Sequence, residues 1–345
     1  MNKKHKTFVG ADLHKNFTHF TVQDANGKEV ASQRLANDGE LFRAFLAGFE
    51  RPVSVVVEAT SNSAWFREQV EQGGHKVVIA HPGETSAKSD TRQKDDRRDA
   101  RLLATLLRGG LLGRQCWPAP AEVLGGRERM RYRQMLVRQS TAHKNRIHSV
   151  LIRHNLSCPR KDPFCKSGRL WLRSLPLAED WMFTIETSLS VIEYIEKQLA
   201  GIDEWCARLI EKDELAWLLS TIPGVNRTLA AMIRFETGDI DRFEKVEQYV
   251  SYTGLVPGVR QSAEKQTGIG ITKEGSFWLR WAFVQAAQTA DRSRGRLSRF
   301  YWRQFRSHGN PNKAKVATAR EMARIAFHIM KRRQGYYEPL LFDKK

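Results

Sequence analysis

The sequence predicts a mixed α/β region at the amino terminus, followed by a long and mostly helical remainder. Short apolar or alternating segments, separated by turn residues and helical patterns, fill residues 7–80. Helical periodicity then continues over long stretches, at residues 127–154 and 184–209 and again in the carboxyl-terminal third. A length of 345 residues suits two or three domains.

Three strands are predicted to open the amino-terminal region as a meander. Residues 7–13 form an apolar strand that carries one acid, Asp12. Residues 17–22 alternate along a second strand. An Asn-Gly turn at residues 26–27 then leads into a third strand over 29–35.

Helices and strands alternate after this meander. The predicted elements are a helix over 40–49, a strand over 52–58, a helix over 64–71 and a strand over 75–80. Val55, Val56 and Val57 form an unbroken apolar run, which is typical of a strand buried on both faces. This order predicts a mixed sheet flanked by helices.

The charge balance points to a polyanionic partner. The chain has 57 Lys and Arg against 38 Asp and Glu, a net charge of +19. Nucleic acid is the first expectation and an anionic membrane surface the second. No apolar run approaches the roughly 18 residues of a membrane helix, and the basic start leads into a strand, so we expect no membrane partner. Four cysteines without paired spacing suit reduced thiols in a cytoplasm.

Four acids occupy notable positions in the predicted α/β region. Asp12 lies within the first strand, Glu58 ends the fourth, and Asp96 and Asp99 stand three apart at the start of a helix that runs to about Leu107. Taken singly, Asp12 is explained as a strand-end cap and Glu58 as a helix-entry residue. Asp96 and Asp99 are explained as part of a charged surface that neighbouring arginines neutralise. Together they favour a metal site. An acid in an apolar strand needs its charge offset, and carboxylate oxygens suit Mg²⁺.

The segments around these acids resemble a known family. Residues 10–15, 58–60 and 96–100 resemble the corresponding segments of the DEDD transposases of bacterial insertion sequences, a group understood as bridge-RNA-guided recombinases. Residues 219–226, 238–243 and 252–257 follow in the order of that family's carboxyl-terminal transposase domain. The resemblance covers roughly residues 6–110 and 215–335.

The resemblance at both ends of the chain, together with the helical heptad pattern between them, predicts an architecture of three parts. A ribonuclease-H-like domain of the RuvC-like form spans residues 1–112, and a helical coiled-coil linker spans 113–214. A helical transposase domain, with a helix-hairpin-helix-like turn at Pro223 and Gly224, spans 215–345.

The resemblance also implies a chemistry and a set of partners. Asp12, Glu58, Asp96 and Asp99 would hold Mg²⁺, two ions per site, and Ser262 would attack DNA to give a phosphoserine intermediate. Ser276 is the alternative serine, although its place at a helix start predicts an N-cap. The implied partners are donor and target DNA, a structured bridge RNA and further copies of the chain in a dimer or tetramer, in the cytoplasm at the bacterial nucleoid.

Two strongly basic regions are expected to contact nucleic acid. Residues 92–153 hold 15 Lys or Arg against five acids, and residues 280–333 hold 14 against two. In the second region aromatic residues are interleaved with arginines, a pattern that can stack on unpaired bases. Trp281 and Phe283 are expected in the core instead. The expected nucleic-acid-binding residues are Arg97, Arg98, Arg129, Arg133, Arg260, Lys265, Lys273, Arg280, Arg296, Arg299 and Arg303.

The helical remainder carries one heptad pattern. Residues 185, 192, 199 and 206, and residues 188, 195, 202 and 209, repeat every seven. The exposed positions around them are acidic, with ten Asp or Glu against three Lys or Arg over residues 179–214. The stripe is therefore either a dimer seam or a surface that packs back on the basic helix at 127–154.

Further helix boundaries follow from local composition. Residues 112–126 contain Gly and Pro and are expected to form a linker. Residues 276–305 are predicted as one helix, residues 313–332 as the last helix, and residues 259–275 as a basic loop. The histidines and cysteines between residues 143 and 165 match no common zinc-finger spacing.

Two other functions fit parts of the sequence. A hydrolytic nuclease acting on DNA junctions would use the four acids with water and leave no covalent protein–DNA adduct. A non-catalytic nucleic-acid-binding protein would account for the charge and the aromatics, but not for an acid inside an apolar strand.

Overall fold

The computed structural model describes residues 7–85, 95–262, 265–272 and 274–337, with the backbone alone at residues 84, 259–262 and 265–269. The chain folds into two compact units, residues 1–120 and 121–345. None of the described helices is both long enough and apolar enough to cross a membrane.

The first unit is built on a five-stranded mixed sheet, as predicted. Its strands lie in the order β3-β2-β1-β4-β5. The first three pair antiparallel, whereas β1, β4 and β5 pair parallel. The strands are β1 (Thr7–Leu13), β2 (Phe17–Asp24), β3 (Glu29–Ala36), β4 (Ser54–Glu58) and β5 (Lys76–Ala80).

Helices cover both faces of this sheet. They are α1 (Gly39–Leu46), α2 (Ser63–Gln72), the single turn α3 (Pro82–Thr85) and α4 (Asp96–Gly109). On one face Val55 and Val57 share a core with Phe42 of α1 and Phe66 of α2. On the other face Val56 packs in a smaller cluster with residues of α4. The valine run is therefore buried on both sides, as its composition indicates.

Two long helices open the second unit, and the first begins earlier than predicted. They are α5 (Ala121–Arg153) and α7 (Glu179–Lys212), and the short α6 (Lys166–Arg173) lies between them in sequence. The expected linker over 112–126 is wrong in its last six residues, because Gly125 and Gly126 lie inside α5. A Cβ on Gly126 would lie 2.2 Å from Cδ1 of Phe235, so this glycine allows an aromatic ring to pack on the helix backbone.

The heptad stripe packs within the chain, against α5, which is the second of the two alternatives. The two helices run antiparallel. Met130 contacts Cys206 near one end of the pair, and Ile147 and Leu151 share a core with Ile185 toward the other. The order of these contacts is reversed along the two helices, as an antiparallel pair requires.

Short helices and one long helix build a second core in this unit. They are α8 (Glu214–Ser220), α9 (Arg227–Thr237), α10 (Val246–Tyr252), α11 (Phe277–Ala286), a 3₁₀ turn (Ala287–Thr289), α12 (Arg296–His308) and α13 (Pro311–Arg332). The single helix predicted over 276–305 is wrong. The chain breaks before α12, where Gly295 has a φ of 113° that no right-handed helix allows. Phe283 is fully buried, as expected, and Trp281 only partly.

The basic loop predicted over 259–275 is also corrected. Its backbone pairs as an antiparallel hairpin of β6 (Pro257–Ser262) and β7 (Lys265–Ile271), with Ser262 opposite Lys265. Only two residues separate the strands, which is the shortest common hairpin connection. Glycines and charged residues concealed the β-branched positions that favour strands here.

A tight turn joins α8 to α9, where the sequence has Pro223 and Gly224. Gly224 has a φ of 89°, and a Cβ there would lie 2.4 Å from the Ala286 carbonyl oxygen. Asn226 caps α9, since its side chain accepts a hydrogen bond from Leu229 N at 2.9 Å. The two helices and the turn are present, and their likeness to a helix-hairpin-helix stays a prediction.

Candidate active site

The site begins with a glycine that brings α4 onto the first strand. A Cβ on Gly10 would lie 1.9 Å from the Ala100 carbonyl oxygen and 2.6 Å from the Ala104 nitrogen. Only a residue without a side chain permits this backbone contact. The contact holds the first turns of α4 over β1, and Thr21 and Gln23 of β2 add hydrogen bonds to α4 carbonyls at 3.5 Å.

Strand alternation directs Asp12 and Glu58 to the same face of the sheet. Ala11 and Val57 are paired neighbours on the parallel strands β1 and β4, so Asp12 and Glu58 stand at the next matching positions. Asp12 shares its face with Gly10, two residues earlier, and Glu58 shares its face with Val56. Both of these faces are covered by α4.

The first turn of α4 supplies the other two acids. Asp95 is the N-cap, and its carboxylate accepts a hydrogen bond from Arg97 N at 3.2 Å. Asp96 and Asp99 then follow in the first turn, where the helix dipole favours negative charge. Asp95 therefore caps the helix, whereas Asp96 and Asp99 lie within its first turn.

A histidine that the sequence argument did not single out joins the acids. His14 Nε2 lies 2.9 Å from Asp12 Oδ2 and 3.3 Å from Asp96 Oδ1. Within the described part of the chain, Asp12, His14 and Asp96 are the one group of three or more such side chains whose ligand atoms lie close enough to share a metal ion, within 4.8 Å of one another. His14 stands two residues after Asp12, a spacing that puts both on one side of extended chain and was a usable signal.

His14 is held in place on three sides. Its ring stacks on Phe17 with centroids 4.5 Å apart, and the Arg34 guanidinium lies 3.6 Å from the centroid of the Phe17 ring. Its carbonyl oxygen accepts hydrogen bonds from Asn37 Nδ2 at 2.8 Å and Asn62 Nδ2 at 3.0 Å. The imidazole is therefore fixed beside the two carboxylates.

The electrostatics of Asp12 reflect burial and crowding. Burial raises the pKa of the Asp12 carboxyl above its ordinary value, and the neighbouring charges of Asp99 and Asp96 raise it further. The charge and hydrogen bond of His14 act in the opposite direction. Like charges gathered around a partly buried acid are a recognised mark of functional sites.

Glu58 has a different partner from the other acids. Thr85 Oγ1 of α3 donates a hydrogen bond to Glu58 Oε1. Its side chain does not belong to the Asp12, His14 and Asp96 group among the described residues. The structure therefore brings Asp12 and Asp96 together, places Asp99 near enough to affect Asp12, and orients Glu58 to the same face.

The two candidate serines both lie in the second unit. Ser262 ends β6, and its side chain lies outside what the structure describes. Ser276 caps α11, as predicted, because its Oγ accepts a hydrogen bond from Leu279 N at 3.2 Å. The same hydroxyl donates to Glu236 Oε2 at 3.3 Å.

Several of the expected nucleic-acid-binding cations already have partners within the chain. Arg97 pairs with Glu29 at 2.5 Å and Arg133 with Asp203 at 2.8 Å, while Arg98 lies 3.8 Å from Asp95. Arg129 lies over the Trp205 ring.

The remaining expected cations fall into two groups. Arg280 lies near Phe277 on α11, and Arg296, Arg299 and Arg303 line cavities beside α12. The side chains of Arg260 and Lys265, and the whole of Lys273, lie outside the described residues. Their contacts with nucleic acid stay predictions.

Two family models match the chain. One, for DEDD transposases of the IS110 group and described as a transposase, matches residues 9–155. The other, described as a transposase of the IS116/IS110/IS902 family, matches residues 216–302. The first match contains the acidic cluster and His14, and the second contains Ser262.

Curated relatives agree along most of the chain. A putative transposase, y4qE of Sinorhizobium fredii, is 28% identical over 82% of this chain and 72% of its own length. The transposase for insertion sequence element IS1328 of Yersinia enterocolitica is 26% identical over 94% and 96%. That for IS1111A of Coxiella burnetii is 24% identical over 95% and 90%.

Fold, acids and matches together define a transposase of the DEDD class, an enzyme that cuts and rejoins DNA. The chain belongs to the IS110 family of insertion-sequence transposases.

Proposed function

We propose that this transposase exchanges DNA strands through a divalent-metal site in the first unit and the Ser262 hydroxyl of the second. The observation that carries the proposal is the gathering of carboxylates on one face of the sheet. Asp12 and Glu58 stand at matching positions on neighbouring strands, under the acidic first turn of α4.

The residues fit a divalent cation. Asp12 and Asp96 contribute carboxylate oxygens, which are ligands that Mg²⁺ prefers, and His14 adds an imidazole nitrogen. Burial, and then the neighbouring charges of Asp99 and Asp96, raise the pKa of Asp12, and a bound cation would offset both effects. Asp12, Glu58, Asp96 and Asp99 would hold Mg²⁺, two ions per site. Such ions stabilise the charge that develops on a phosphate during displacement.

Ser262 supplies the nucleophile in this proposal. Its oxygen attacks the DNA phosphorus, and the Oγ–P bond forms as one bridging P–O bond of the DNA breaks. The serine proton is lost and the leaving oxygen gains a proton, which leaves a phosphoserine ester and a DNA hydroxyl. A hydroxyl of the partner strand then attacks the ester, joins the new strand and restores the serine.

The serine mechanism is tested by trapping the ester on a nicked substrate. Wild-type protein should carry DNA on Ser262 as an adduct that resists denaturation. Ser262→Ala should lose the adduct and strand exchange while still binding nucleic acid. An active Ser262→Ala protein that leaves unattached DNA ends would establish the hydrolytic alternative.

Ser276→Ala is the matched control for this experiment. Because Ser276 caps α11, its loss should lower the free energy of unfolding by about 1 kcal/mol. The adduct on Ser262 should remain. Loss of the adduct in Ser276→Ala at a temperature where the protein stays folded would move the nucleophile to Ser276.

We further propose that a structured bridge RNA pairs with donor and target DNA, and that the enzyme acts as a dimer or tetramer. The net charge of +19 supports a large polyanionic partner. Protein purified from cells that carry its own flanking DNA should yield one abundant RNA encoded in that DNA, and sedimentation should show more than one copy of the chain. Full strand exchange by RNA-free protein would show that the reaction needs no guide RNA.

A further inference from the structure

Two neighbouring cavities lie beside the last two helices of the second unit. The larger, of about 730 Å³, is lined mainly by residues of α12, and the smaller, of about 370 Å³, mainly by α13 and the segment after it. Arg296 and Glu321 line both cavities. The two cavities therefore adjoin at the Arg296–Glu321 ion pair, and together they are called the groove.

Positive charge dominates the walls of this groove. Arg299, Arg303 and Arg306 line the larger cavity, and Arg324 and Arg332 line the smaller. Among the described lining residues the one acid is Glu321, which already pairs with Arg296 at 2.6 Å. The pKa of His328, which lines the smaller cavity, is lowered by burial and then by the positive charges of Arg332 and Arg324. The occupant should be an anion.

Aromatic rings accompany these cations in both cavities. Phe300 and Trp302 line the larger cavity, and Trp302 is 45% exposed. Tyr336 and Tyr337 line the smaller one, and Tyr337 is 77% exposed. An exposed aromatic ring beside arginines offers a stacking surface for a base next to contacts for its phosphate.

The tyrosines are held at the cavity by the local chain path. Arg333 ends α13 with a φ of 50°, which turns the chain back. Tyr336 N then donates a hydrogen bond to Thr221 Oγ1 at 2.7 Å. The backbone next to Tyr337 is thus attached to the turn after α8, and this attachment holds Tyr337 at the cavity.

We propose that this groove binds a single-stranded polynucleotide, with one unpaired base stacked in the smaller cavity and the flanking phosphates on the arginines of α12 and α13. A recessed cavity of this size suits one flat ring system. A duplex keeps its bases stacked inside and could present one only after flipping it out. The proposal rests on the action on nucleic acid proposed above, at residues separate from the acids and Ser262.

Binding of short oligonucleotides in EDTA tests the groove independently of strand exchange. The probes are labelled oligo(dT) and oligo(rU) of about 12 nucleotides, together with a duplex of the same length. Tyr337→Ala should weaken binding of at least one single strand by about fivefold or more, since stacking contributes that much per base. Duplex affinity should change less than twofold. Tyr194→Ala, at another exposed tyrosine on α7 (62% against 77% for Tyr337), is the control.

The arginines give a second, electrostatic readout. Arg324→Gln with Arg332→Gln should lower the salt slope of single-strand binding by about 1.4, which corresponds to two phosphate contacts. Arg208→Gln with Lys212→Gln removes equal charge from α7 and should leave the slope unchanged. A stronger effect on oligo(rU) identifies RNA as the occupant, and a stronger effect on oligo(dT) identifies DNA.

Two results would overturn the proposal. In one, Tyr337→Ala behaves like Tyr194→Ala on all three probes. In the other, the arginine variant weakens duplex and single strand equally, which would make the groove a duplex contact. These binding assays measure no cleavage. Loss of the adduct in Ser262→Ala therefore tests only the proposed reaction, whereas the change in oligonucleotide binding in Tyr337→Ala tests this groove.

Discussion

The acidic cluster of the first unit and helix α5 of the second arrange charge in opposite ways. In the first, Asp12, Asp96 and Asp99 gather on one side of the sheet with His14 as the nearby counter-group, and the pKa of Asp12 is raised. In the second, two arginines of α5 are each paired with a carboxylate from another helix.

Two ion pairs show this matching on α5. Arg131 binds the buried carboxylate of Glu236 through two hydrogen bonds, at 2.7 and 3.0 Å, and Arg133 binds Asp203 in the same manner. Matched charges stabilise a fold, whereas gathered like charges cost stability and need a functional reason. Removing one charge from an ion pair on α5 should therefore lower the free energy of unfolding, whereas removing one charge from the acidic cluster should keep it equal or raise it.

The largest effect is expected where α5 and α7 pack together. Ile195 is 2% exposed, so Ile195→Lys should lower the free energy of unfolding by about 4 kcal/mol through an unpaired buried charge. Urea unfolding followed by circular dichroism measures this. Tyr194→Lys, at a 62% exposed neighbour, should cost little. A stable Ile195→Lys protein that sediments as a smaller species would instead place the stripe between chains.

The pair between Arg131 and Glu236 should give the next largest effect. Glu236 is 1% exposed, and Arg131→Met should lower the free energy of unfolding by about 3 kcal/mol because the carboxylate loses its charged partner. Adding Glu236→Gln to the same protein should restore part of the loss. If the double variant lost as much unfolding free energy as Arg131→Met and Glu236→Gln lose in sum, the two residues would not act as a unit.

A smaller effect is expected for Arg133 and Asp203, since Asp203 is 46% exposed. A double-mutant cycle with Arg133→Gln and Asp203→Asn should give a coupling of about 0.5–1 kcal/mol. Zero coupling, together with a salt slope of DNA binding that falls by about 0.9 in Arg133→Gln, would assign this charge to a phosphate instead.

The smallest effect on stability is expected in the acidic cluster, and with the opposite sign. Asp99→Asn removes a charge that repels Asp12, so in EDTA the free energy of unfolding should stay equal or rise by about 0.5 kcal/mol. Thermal unfolding measures it, with Asp38→Asn at the α1 cap as a neutral control. A loss above about 1 kcal/mol would mean that the acids stabilise the fold.

The first unit was largely predictable because strand alternation is a local rule. An acid in β1 and another at the end of the parallel strand β4 must share a face if their neighbours are paired in register. The position of α4 followed less directly. It depends on the absence of a side chain at Gly10, and close backbone contact is not visible in composition.

The second unit was harder to predict because its signals conflict. Gly126 reads as a break and lies inside α5, whereas Gly295 lies within a helical pattern and does break it. Whether a heptad stripe packs on its own chain or on a second copy depends on distant sequence. Charge counts also did not separate the arginines paired on α5 from those lining the groove beside α12.

In the proposed reaction the acids of the first unit activate the serine of the second. The decisive experiment measures the phosphoserine adduct in Asp99→Asn, a variant in which Ser262 is intact. We expect this variant to bind nucleic acid normally and to form less than about one-hundredth of the wild-type adduct in Mg²⁺. An Asp99→Asn protein that forms the adduct at the wild-type rate would show that Ser262 attacks DNA without the acidic cluster.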